Sequence, residues 1–85
     1  MCTNIATKTA VTGSAQTARG WMKVSEATMS FDHATHLWTE HALRIDLVGA
    51  SDADRVAVEL DLASAKALLA RLEEIIDAAE RSGVA

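Results

Sequence analysis

The hydrophobic period of this chain changes at Asp61. Before it, His41, Leu43, Ile45 and Leu47 alternate with Ala42, Arg44, Asp46 and Val48, and Val56, Val58 and Leu60 alternate with Ala57, Glu59 and Asp61. After it, Ala65, Leu68, Leu69, Leu72, Ile75, Ile76 and Ala79 recur every three or four positions. A period of two is a strand with one buried face, and a recurrence at three and four is one face of a helix. Strands followed by a helix, each with one apolar surface to hide, predict an α+β fold. The expected architecture is an antiparallel sheet of three to four strands covered by one C-terminal helix. Asp61 or Ser64 can cap the helix start, and Gly83 suits the left-handed position that ends it.

The upstream half is less regular. Residues 3–12 place Ile5, Thr7, Thr9 and Val11 on one parity, and the β-branched residues favour a weak, edge-type strand. Residues 13–20 lie between glycines and read as a loop. Residues 21–33 form a second strand whose apolar parity changes sides: Met22 and Val24 share one, Met29, Phe31 and His33 the other. A bulge near Ser25–Thr28 would account for the change, as would a break or sharp curve in the strand. Gly49 to Asp54 is a turn.

Eighty-five residues make one domain, 1–85, with ends at 1–2 and 82–85 expected to fray. A chain this short buries a modest fraction of its surface, so a homodimer or a bound ion is expected to support it. The net charge of -4 disfavours nucleic acid, whose binding requires a basic surface. No apolar run has the length of a membrane span, and residues 1–20 lack the core of a signal peptide. The expected setting is the cytoplasm. The single cysteine, Cys2, excludes an internal disulfide and a multi-cysteine zinc site.

All three histidines fall between the second and third strands, at His33, His36 and His41, with Asp32 and Glu40 beside them. A hairpin centred near Leu37 puts His33 opposite His41 on the apolar face, with Cβ atoms roughly 4.5–5.5 Å apart. His36 could fold over as a third ligand, with Asp32, Glu40 or Cys2 behind it. Three imidazoles with an open position suit zinc, iron, copper or nickel. The spacing His-x2-His-x4-His matches no established metal motif, and a one-residue slip of register would remove the arrangement. The alternative is that the three are surface residues, or partly buried rings bonded to backbone.

Cys2 offers a thiol and, if Met1 is removed, an adjacent amine for metal binding or nucleophilic chemistry. Glu40 could act as acid or base beside an ion. Trp38 could line a small-molecule pocket or an interface. Phosphate loops, serine elbows and helical zinc-protease motifs are absent.

Met1-Cys2-Thr3-Asn4-Ile5-Ala6-Thr7-Lys8, Val11-Thr12-Gly13-Ser14-Ala15, Phe31-Asp32-His33-Ala34-Thr35-His36 and Arg55-Val56-Ala57-Val58-Glu59-Leu60-Asp61 resemble a family of small uncharacterised actinobacterial proteins. The resemblance covers most of the chain. It implies a bacterial, cytoplasmic protein near specialised metabolism, and it carries over no catalytic role. The leading functional expectation is metal or small-ligand binding through His33, His36 and His41. A small metal-dependent enzyme and a homodimeric interaction module without metal are the alternatives. Converging imidazoles favour the first two, and an exposed Trp38 beside scattered histidines favours the third.

Overall fold

Four strands, β1 (Ile5–Thr17), β2 (Gly20–His33), β3 (His41–Val48) and β4 (Arg55–Leu60), precede one helix, α1 (Leu62–Ser82). The computed structural model describes residues 3–51 and 53–84. The strands form one antiparallel sheet in the order β1-β2-β3-β4, so each neighbour in sequence is a neighbour in space. The expected α+β fold with a C-terminal helix is the one observed.

Register sorts the side chains between two faces. Met29 lies between Thr7 and Ile45, Phe31 between Ile5 and Leu43, and Ile45 and Leu43 in turn oppose Val58 and Leu60. These positions make the apolar face. On the other face, Arg44 pairs with Ser30 and Glu59, and Asp46 pairs with Thr28 and Ala57. Asp46 is 9% exposed, yet it is satisfied: Arg44 Nε donates to it at 2.9 Å, and Arg55 Nε lies 3.8 Å away.

The structure moves the irregularity from β2 to β1. β2 pairs continuously with β3 from Glu26 to His33, so it carries no bulge at Ser25–Thr28 there. The register instead shifts between Ala10 and Gly13 of β1. The extra residue is absorbed by the strand with the weaker pattern, where Gly13 adds no side chain to place. Residues 13–17, expected as loop, continue the strand, and the reversal is confined to Ala18 and Arg19. Thr17 fastens this turn, its hydroxyl donating to the Gly20 carbonyl at 2.9 Å and accepting from the Arg19 N–H at 3.1 Å. Met22 and Val24 consequently face away from Met29 and Phe31 without any break in β2.

α1 starts where the period changes. The Asp61 carboxylate accepts from the Ser64 N–H at 2.7 Å, satisfying a donor of the first turn. Gly83 closes the helix at φ 71°, with its N–H on the Glu80 carbonyl. A helix of 21 residues extends about 31 Å. It leans over β3 and leaves an open groove of about 300 Å³ between Leu62, Ala65, Leu68, Leu69 and Leu72 on the helix and Met29, Leu43, Ile45 and Leu60 below. Among the described residues, the buried apolar set is Ala15, Val24, Ala27 and Ala42, and none belongs to α1.

The β3–β4 turn is closed by the Gly49 N–H on the Asp54 carbonyl at 2.7 Å. A Cβ on Gly49 would sit 2.6 Å from the Lys23 carbonyl oxygen and 2.9 Å from the Asp54 Cβ. Backbone must therefore shift to accept any side chain. Gly49→Ala is expected to destabilise the fold by about 1–3 kcal/mol in urea unfolding. Gly13→Ala, which meets open space, is the matched control.

Candidate functional site

The loop of residues 34–40 joins β2 to β3 and is closed by the Ala34 N–H on the Glu40 carbonyl at 3.2 Å. The expected register holds: His33 is the partner of His41. Their rings stack with centroids 4.9 Å apart and planes at 27°, and Phe31 stacks on His41 at 5.5 Å. The three rings form a short aromatic run at the end of the apolar face. Asp32, with the opposite parity, accepts from the His33 N–H at 2.8 Å.

His36 does not join that pair. The loop folds toward the polar face, where the Glu59 carboxylate gathers it. Thr35 donates its N–H and its hydroxyl, both at 2.8 Å; His36 donates its N–H at 2.9 Å and Leu37 its N–H at 3.3 Å. Successive amide hydrogens aimed at one carboxylate form an anion nest, here filled by the protein itself. The carboxyl of Glu59 is accordingly lowered from 4.5 to about 2, first by the Thr35 N–H, then by the Thr35 hydroxyl and the His36 N–H. The His36 imidazole is 3.0 Å from the Thr35 hydroxyl through Nδ1.

Thr35, His36, Leu37, Arg44, Ala57 and Glu59 line an open pocket of about 480 Å³ on this face. Arg44 forks onto Asp46 through Nε and Nη2, which raises its already high pKa. The pocket thus has a committed anion, a committed cation and a histidine at its rim. Trp38 is fully exposed, and the flanking Thr39 and Glu40 are exposed as well. Cys2 lies outside the described residues. Among the described residues, no group of three or more His, Cys, Asp or Glu side chains has the geometry to hold a metal ion.

Glu59 is the residue that sequence reasoning passed over. Its alternation marked it only as an outward strand position. Its role depends on β4 lying beside β3, which no local pattern encodes.

The chain belongs to a family of unknown function, DUF6295, whose model matches residues 1–85. No curated protein and no solved structure matches it.

Because Glu59 is lowered in the folded chain, its contribution is present above the ordinary carboxylate pKa near 4.5. It is lost as pH falls through about 2. Backbone amide NMR is expected to show the Thr35, His36 and Leu37 resonances keeping their hydrogen-bonded shifts through mild acid and losing them only as pH approaches that value. Glu59→Gln is expected to lose the charge-assisted component of those bonds at neutral pH, leaving β2–β3 pairing intact.

Proposed function

We propose that this chain is a protein-interaction module, one that binds through the apolar face formed by α1 and the sheet. The observation that carries the reading is the open groove between α1 and β3. It continues along the helix into Ile75 and Ile76, which are 68% and 49% exposed. Large side chains repeating along one helix face are costly to leave in water, and contiguous apolar surface of this kind marks contact sites. The exposed Trp38 and the separation of His36 from His33 and His41 support the same reading. A bacterial, actinobacterial source and a cytoplasmic setting belong to the proposal, on the strength of the sequence resemblance.

Site-specific photo-crosslinking in producing cells tests it. A benzophenone side chain replacing Ile75 is expected to yield protein adducts well above one replacing Glu74, which is turned about 100° around the helix, off the apolar face. Equal yields at the two positions would overturn the reading.

A second reading rests on the His33–His41 stack. Two imidazoles held on paired strands could share a transition ion such as zinc, copper, nickel or iron, with the remaining ligands from solvent, a small molecule or another chain. Calorimetric titration with zinc is expected, on this reading, to show saturable binding that His33→Ala abolishes and His36→Ala leaves. Binding unaffected by His33→Ala would overturn it.

A further inference from the structure

We infer that the occupant of the apolar face is a second copy of this chain, with the two α1 helices packed antiparallel about Leu72. The inference rests on the interaction reading and names its partner. Its first support is area. The accessible surface is 6771 Å², whereas a folded monomer of 9.0 kDa exposes about 4,900 Å². The excess, about 1,900 Å² per chain over its whole surface, is large enough for a pair to bury the roughly 2,000 Å² or more of an obligate homodimer. The radius of gyration agrees: it is 14.5 Å, against about 12 Å for a compact chain of this length.

The second support is the helix sequence. Leu62, Ala65, Leu69, Leu72, Ile76 and Ala79 follow steps of three and four, the spacing of a helix–helix seam, with Leu68 and Ile75 beside it. The pattern is self-complementary when reversed about Leu72. Ala65 then meets Ala79, Leu68 meets Ile76, Leu69 meets Ile75, and Leu72 meets its own copy. Leu62, at the end of the seam, meets Ser82, and every pairing is reciprocal between the copies, as an isologous two-fold contact requires. Charge follows the same symmetry. Lys66 and Glu80 lie on one flank of the seam at opposite ends, so antiparallel pairing brings Lys66 of each copy beside Glu80 of the other. The arrangement also puts a second apolar helix beside the groove over Leu43 and Ile45, which α1 alone leaves open.

Sedimentation equilibrium of the full chain at about 10–100 μM tests the pairing. The expected result is twice the chain mass, falling to one chain mass for Leu72→Glu and unchanged for Glu74→Lys. Orientation is read by disulfide capture in a Cys2→Ser background, which does not depend on a destabilised variant. Mixed chains carrying Ala65→Cys or Ala79→Cys are expected to form mainly the mixed disulfide. Wild-type protein of one chain mass would overturn the inference, and predominance of either like-with-like disulfide would overturn the antiparallel arrangement. A monomer would leave the broader interaction reading standing, since that reading fails only if crosslinking at Ile75 does not exceed that at Glu74.

Discussion

The register of β2 against β3 is the constraint on which the rest of the molecule depends. Pairing Met29 with Ile45 and Phe31 with Leu43 gathers the long apolar side chains on one side of the sheet. The same register sends Asp32, Arg44 and Asp46 to the other. A slip of one residue would exchange the faces, leaving the leucines with the ion pairs and separating His33 from His41. The two faces then acquire different partners. The apolar one receives α1, whose cap at Asp61 directly follows β4. The polar one receives the 34–40 loop, held by Glu59.

The two faces are finished to different degrees. On the polar face, Asp46 meets Arg44 and Arg55, and Glu59 meets three backbone donors and a hydroxyl. Ala42, directly beneath this face, is 2% exposed. On the apolar face, one helix rests beside a strand of Leu and Ile and leaves its own leucines about half in water. Polar groups can be satisfied locally, by a few hydrogen bonds across adjacent strands. Apolar surface is removed from water only by covering it, and a 21-residue helix is too narrow to cover a four-stranded sheet. The self-association inferred above would resolve the mismatch with the one surface certain to be present at the same concentration, its own copy.

Much of this was legible in the sequence, where local pattern and global arrangement coincide. The parity of His41 through Leu47 set β3, the shift to three-and-four spacing located α1, and symmetry about Leu37 brought His33 opposite His41. The misplaced features were those that local pattern does not carry. The parity change between Val24 and Met29 suggested a bulge in β2. It marks instead a continuous strand with apolar residues on both sides, and the extra residue lies in β1 beside Gly13. The glycines at 13 and 20 looked like loop boundaries, whereas only Ala18 and Arg19 turn. His36 looked like a third member of a cluster because it was close in sequence. Glu59, far from it in sequence, decides where the loop goes. The helix was read as a cover for the sheet, and only its geometry reveals how much remains open.

If two copies complete one apolar core, folding and association are linked, and stability must depend on protein concentration. The most direct measurement is the urea midpoint of the full chain over two or three decades of concentration. The account predicts a midpoint that rises with concentration, corresponding to about 1.4 kcal/mol of apparent stability per tenfold change for a folded dimer in equilibrium with unfolded chains. A midpoint independent of concentration across that range would contradict it.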